Sequence, residues 1–132
     1  KKGEMDDVTY RRARHVITED ERVLEAVKAF ESGDLATLAE KMYASHCSMR
    51  DDFEITIPEI DGLVEIIRKA IGENAAVRMT GGGFGGSVVA VVEPSKVEQV
   101  KAAIDAEYEK IAGKKATIIE THAFDGAAFT KL

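Results

Sequence analysis

The residues best suited to chemistry lie in one short run, Arg78 to Ser87 (RMTGGGFGGS), where Gly81, Gly82, Gly83, Gly85 and Gly86 surround a single aromatic, Phe84. Glycine has no Cβ, so such a run lets backbone N–H groups come close to a ligand or to another backbone. Successive N–H groups in turns of this kind form a concave nest of donors, and an anion is its natural guest. Thr80 and Ser87 flank the run with hydroxyls that can donate to phosphate oxygens or, more commonly at strand ends, to the neighbouring backbone. A second group comprises His46, Arg50, Asp51, Asp52 and Glu54. An imidazole near paired carboxylates is the stock of general acid–base and Mg²⁺ chemistry. The plainer reading is a packed or cleft-lining histidine on an apolar stripe, with carboxylates that are solvated or paired with arginine at a helix end. His15 and His122 show no ligand spacing, so no metal site is assigned.

Local patterns narrow what the glycines do. Gly81, Gly83 and Gly86 satisfy GxGxxG, but dinucleotide binding needs a strand that passes through the glycines into a helix, and here they lead into SVVAVV, a strand. No Lys-Ser or Lys-Thr follows them, which excludes a Walker loop. With Val88 the run matches GxGxxGxV, the loop that covers phosphates in protein kinases, yet the downstream VAIK lysine, HRD and DFG are all absent. There remain a bulged hairpin turn and a glycine surface built for close approach.

The elements that must position these residues follow from periodicity and caps. Thr18 to Glu21 fits a capping box for a helix carrying Val23, Leu24, Val27 and Phe30 and ending at Gly33. Asp34 can cap a second helix, whose stripe runs Leu35, Leu38, Ala39, Met42, Tyr43, His46 and Met49. Thr56 to Glu59 is another capping box, with Pro58 in the first turn of a helix through Ile60, Val64, Ile67 and Ile71 to Gly72. Ser95 to Glu98 opens a fourth helix, carrying Val100, Ile104 and Tyr108 and closed by Gly113. Strands are expected over Ala76 to Thr80, Ser87 to Val92 and Ala116 to Thr121. The fold class is therefore α+β, with an antiparallel sheet of three or four strands covered by helices. It is a ferredoxin-like, split βαβ sandwich lacking its first strand, with an additional N-terminal helical hairpin. Residues 1–132 read as a single domain. Only residues 1–9 and 123–132 look loosely tied, and the charges from Glu4 to Arg14 look solvated.

A net charge of −6 and a pI near 5.1 argue against nucleic acid and anionic membrane as partners. One cysteine, Cys47, and no apolar stretch of spanning length suit a reducing cytoplasm. The start, Lys1-Lys2-Gly3, reads as the cut end of a longer polypeptide.

RMTGGGFGGS resembles the third, C-terminal signature of the GHMP small-molecule kinases. Ser45 to Asp61 (SHCSMRDDFEITIPEID) is similar to the corresponding stretch of the galactokinase branch, more than to the homoserine, mevalonate or phosphomevalonate branches. The likeness runs in register from Arg12 to Glu120. It implies transfer of the ATP γ-phosphoryl group to the 1-hydroxyl of α-D-galactose, with Mg²⁺, in a cleft between two domains of which this would be the C-terminal one. ATP and galactose would be ligands of the parent, and the missing N-terminal domain of the same polypeptide its partner. The family's sugar-binding signature, its PxGGGLSSSA phosphate loop and its catalytic Asp and Arg belong to the preceding part, so no catalytic residue is expected here. Gly81 to Gly86, with Phe84, would line the cleft beside the phosphates and brace the phosphate loop. Thr80, Ser87, His46, Arg50 and Asp52 would lie near that cleft. Ser87 stands where some members have Cys. The isolated fragment is expected to be inactive, to bind no cofactor tightly, and to self-associate through its exposed interdomain face. The alternative is a kinase-like sensor of galactose and ATP that acts through a protein partner without turnover.

Overall fold

The Asp6 carboxylate accepts the Thr9 N–H at 2.9 Å and so caps α1, which runs Asp7–Ser32 in the computed structural model of residues 3–72, 74–123 and 126. Gly33, in the left-handed conformation, ends it. Thr18 is therefore interior to a helix instead of opening one. Its hydroxyl donates back to the Arg14 carbonyl at 2.9 Å, the local bond a threonine makes when the helix already runs past it. The upstream charges are also anchored, not merely solvated. Arg11 pairs with Asp7 one turn away, and Arg11 and Arg12 reach Glu54 at 2.8 and 2.6 Å. Of the tails expected to be loose, residues 1–2, 124–125 and 127–132 lie outside the described residues.

Asp34 caps α2, Leu35–Ser48, by accepting the Thr37 N–H at 3.0 Å, as its position after Gly33 predicts. The two helices form the expected hairpin. A π-helical turn, Met49–Phe53, then delivers the chain through Glu54, at φ 57°, into an extended passage that ends where α3, Pro58–Ile71, begins. Pro58 sits in the first turn, but no side chain caps this helix. The Thr56 hydroxyl donates to the Asp61 carboxylate at 3.2 Å, so the expected capping box does not form. Strand β1, Ala76–Thr80, pairs antiparallel with β2, Ser87–Val91, in the register Ala76 to Val91 through Thr80 to Ser87. A 3₁₀ turn, Pro94–Lys96, absorbs Ser95 before α4, Val97–Ala112, which Gly113 terminates.

The sheet has two strands among the described residues, fewer than the three or four expected. Ala116 to Thr121 has no regular secondary structure. It is moored by Lys101 to Glu120 at 2.8 Å and by Ala116 at the edge of the core, while Ile119 stays exposed. A β-branched run forms a strand only against a partner's ladder, and none pairs with this one among the described residues.

Helices α3 and α4 cover one face of the hairpin with a core of Val64, Ile67, Val77, Val100, Ile104 and Tyr108. They pack so closely that a Cβ on Gly62 would sit 2.9 Å from Ile111 Cδ1. A second cluster joins α1, α2 and β1 through Ala29, Leu38, Ala39 and Ala76. Leu38 is fully buried at that joint, whereas Leu35 is half exposed three residues earlier. Leu38→Ala is expected to lower stability by about 2–5 kcal/mol in urea unfolding, and Leu35→Ala by no more than about 0.5 kcal/mol. Equal losses at the two positions would contradict this account of the joint.

Candidate functional site

The loop between β1 and β2 is left-handed almost throughout: Gly81, Gly83, Phe84, Gly85 and Gly86 all have positive φ. Phe84 is the one side chain to adopt it, at φ 55°, a conformation uncommon for a bulky residue. Its N–H donates to the Ile55 carbonyl at 2.7 Å, and its ring is 75% exposed. At Gly83 the loop crosses the extended passage before α3 at backbone contact, since a Cβ there would lie 2.6 Å from Ile55 O. On the other side Gly81 and Gly82 have nothing within 4 Å of where a Cβ would be. The loop thus has one braced side and one open side. Thr80 and Ser87 pair across its base, and neither hydroxyl is hydrogen-bonded among the described residues, contrary to the backbone bonding expected of them. A cavity of about 500 Å³ opens at the far end of the hairpin, lined mostly by apolar residues such as Leu35, Ile71 and Val91, and does not reach the loop.

His46 is buried on α2 against β1. Its Nδ1 accepts the Met79 N–H at 3.4 Å and its Nε2 lies 3.3 Å from Asp61 Oδ1. Burial pushes its pKa below the ordinary value, with the Asp61 charge opposing. It cannot reach the loop's open side as a general base, which agrees with the packed reading. Arg50 is held by Asp51 through two contacts at 2.7 and 2.9 Å, and this pairing raises its pKa. Asp52 is buried, accepts the Ser48 hydroxyl at 3.0 Å and meets Arg14 at 3.4 Å, while its carbonyl accepts from Arg12. The carboxylates of this turn therefore serve ion pairs, and the structure does not bring Arg50 or Asp52 together with the glycine loop.

Three contacts were not readable from spacing. His15 Nδ1 lies 2.9 Å from Ser48 Oγ, which in turn donates to Asp52. These are the residue types of a hydrolytic triad, but the serine stands between the other two instead of at the end, so the imidazole has no free hydroxyl proton to take. His15 stacks on Phe53 at 4.7 Å, and the ring of Phe53 carries Arg12 on another side. Arg78 donates from Nε to its neighbour Met79's carbonyl at 3.0 Å and reaches Glu19 at 2.9 Å. Burial works to raise the pKa of Glu19, but hydrogen bonds from Ser45 and Arg22 and the charge of Arg78 outweigh it and hold it low. His15 to Ser48 spans 33 positions of sequence and Arg78 to Glu19 spans 59, separations at which no local pattern signals a partner.

The two-stranded hairpin with its glycine turn under α3 and α4 belongs to a known class: residues 26–110 match the family model of the GHMP kinases C terminal, and the chain is a member of that family. Among curated proteins it is 52% identical over 121 residues to a galactokinase of Actinobacillus pleuropneumoniae, covering 92% of this chain and 32% of that protein. The galactokinase of serotype 5b, strain L20, of the same organism matches to the same extent. Among solved structures, the galactokinase of Lactococcus lactis complexed with galactose superposes with a TM-score of 0.79 at 39% identity, over 85% of this chain and 29% of that one. The chain thus spans about one third of the length of the curated relatives it matches.

The crossing at Ile55 predicts a contrast between neighbouring glycines. Gly83→Ala must both hold a side chain at φ +85° and displace a backbone oxygen, and should cost about 2 kcal/mol or more. Gly82→Ala meets open space and should stay within about 0.5 kcal/mol in the same denaturation experiment. The reverse order would dismiss the crossing as a constraint. Acid should also weaken the fold in two stages. His15 and His46 are both held neutral by burial, below the ordinary 6.5, so the unfolded chain binds protons first and stability falls from about pH 7 to about pH 5. Glu19 and Glu54 are held below the ordinary 4.5, so their contribution, present above that value, is lost at still lower pH. A urea midpoint that is flat between about pH 7 and about pH 5 would refute the first stage.

Proposed function

We propose that this chain is the C-terminal part of a galactokinase and forms one wall of its phosphoryl-transfer cleft. The reaction is transfer of the ATP γ-phosphoryl group to the 1-hydroxyl of α-D-galactose, giving galactose 1-phosphate, in the cytoplasm. The observation that carries this reading is the braced glycine loop, open at Gly81 and Gly82, in a chain 52% identical to a galactokinase. Phosphoryl transfer asks little covalent chemistry of a protein and is accelerated mainly by positioning and by charge around the transferring group. A braced backbone surface with the hydroxyls of Thr80 and Ser87 at its base, unbonded among the described residues, suits the positioning half of that task.

The charges would come from the rest of the polypeptide, which by the family resemblance carries the sugar site, the phosphate loop and the catalytic Asp and Arg. No group of three or more His, Cys, Asp or Glu among the described residues is placed to hold a metal. By the family resemblance, Mg²⁺ would enter with the nucleotide and be held by residues of the other domain. Val16, Val23, Val27 and Phe30 lie along the outer side of α1 and are about half exposed or more. In the complete enzyme this stripe would be covered by the preceding domain, and in the isolated chain it favours self-association.

Purified alone, the chain should give no turnover with galactose, ATP and Mg²⁺, and should sediment as larger than a monomer at high concentration. Substituted for the matching third of a galactokinase, it should restore phosphorylation of galactose. Turnover by the isolated chain would overturn the division of labour. A well-folded chimera that binds both substrates without turnover would favour the sensor reading instead.

A further inference from the structure

We propose that Asp61, acting through His46 on one side and Thr56 on the other, is the positioning residue that fixes both anchor points of the glycine loop. Among the described residues, strand β1 has a ladder partner on one edge only. The Met79 N–H points to the other edge, where it meets His46 Nδ1 at 3.4 Å, and the Met79 carbonyl on that residue is taken by Arg78 Nε at 3.0 Å. Side chains thus satisfy the main chain of the residue just before Thr80, where the loop begins.

An N–H can only donate, so Nδ1 must present its lone pair, and the proton of the neutral ring sits on Nε2. That atom lies 3.3 Å from Asp61 Oδ1, a charge contact outside hydrogen-bond alignment, and neither buried atom has a hydrogen-bond partner among the described residues, so each is the other's nearest means of satisfaction. The other carboxylate oxygen, Oδ2, accepts the Thr56 hydroxyl at 3.2 Å. Thr56 adjoins Ile55, whose carbonyl holds the Phe84 N–H at 2.7 Å. One carboxylate on the first turns of α3 therefore lies at the centre of a circuit, Met79–His46–Asp61–Thr56–Ile55–Phe84, that closes around the base of the loop. His46 accordingly does not act on substrate. Its service to phosphoryl transfer rests on the function proposed above, but the circuit itself does not.

The test uses the 132-residue chain and reads no phosphorylation, so it can fail while the kinase reading stands, or succeed while that reading falls. Nitrogen-15 NMR of His46 at neutral pH should show an unprotonated, hydrogen-bonded Nδ1 and a protonated Nε2. The opposite tautomer would overturn the proposal whatever any variant does. In amide hydrogen exchange, Asp61→Ala should speed the Met79 and Phe84 amides at least tenfold, although Asp61 touches neither. The Arg78 amide, which by ladder alternation faces β2, should hold its rate. His46→Phe should speed Met79 and leave Phe84 close to wild type. Asp61→Asn, whose carbonyl oxygen can still face His46 Nε2–H while its amide donates to the Thr56 hydroxyl, should recover most of the protection. Uniform acceleration of all amides in every variant, or an unchanged Phe84 in Asp61→Ala, would reduce Asp61 to ordinary packing.

Discussion

The approach of two backbones at Gly83 and Ile55 is the constraint on which the rest of this chain's architecture turns. No side chain fits between them, and the Phe84 N–H is aimed into the Ile55 carbonyl at 2.7 Å. That contact fixes where the extended passage before α3 must run, and hence where α3 starts. Helix α3 then covers the sheet with α4, and the π-helical turn that feeds the passage is held to α1 by Arg11 and Arg12 on Glu54. A displacement at the crossing would have to be absorbed by several elements at once, because close-packed interiors transmit strain instead of dissipating it locally.

Much of the scaffold was legible because its signals are local. Gly33 followed by Asp34 ends one helix and caps the next, Pro58 and Gly113 mark a start and a stop, and the apolar periods of α2, α3 and α4 give their buried faces. Where reading failed, a local motif had a competing use. Thr18 has the composition of a cap, yet α1 was already nucleated upstream by Asp6 and the Arg11 to Asp7 pair, so its hydroxyl turns back on the helix. Thr56 fails as a cap because it stands one residue before the N-cap, Ile57, and its hydroxyl donates to Asp61. The segment from Ala116 has the residues of a strand, but a strand is a property of a pair, and the sequence of one member says nothing of the other's presence.

The candidate site divides along the same line. The glycines announce themselves by type, and the expectation of close approach to a ligand or another backbone is met at Gly83 by a backbone. That partner, Ile55, was invisible as such, since a carbonyl oxygen leaves no mark in a sequence. His46 was legible as a buried histidine from its apolar stripe, but its two neighbours, Met79 and Asp61, come from separate elements. Asp51 pairs with Arg50, the neighbouring arginine of the plainer reading, whereas the partners of Asp52, Ser48 and Arg14, could not be named from residue type.

What the bracing accomplishes can be argued from the cost of glycine itself. An unbraced run of this composition would be broadly disordered, and any ligand that ordered it would lose affinity by the entropy of doing so. Here Met79 is anchored before the run and Phe84 within it, so most of that ordering belongs to folding, not to binding. The left-handed Phe84 is the sign that the anchor is strong enough to impose a conformation its side chain resists. Donors fixed in advance need not reorganise as charge develops on a transferring group, which is where electrostatic stabilisation gains most over water. The span left open, Gly81 and Gly82, is then short enough to adapt in detail while its position is already set.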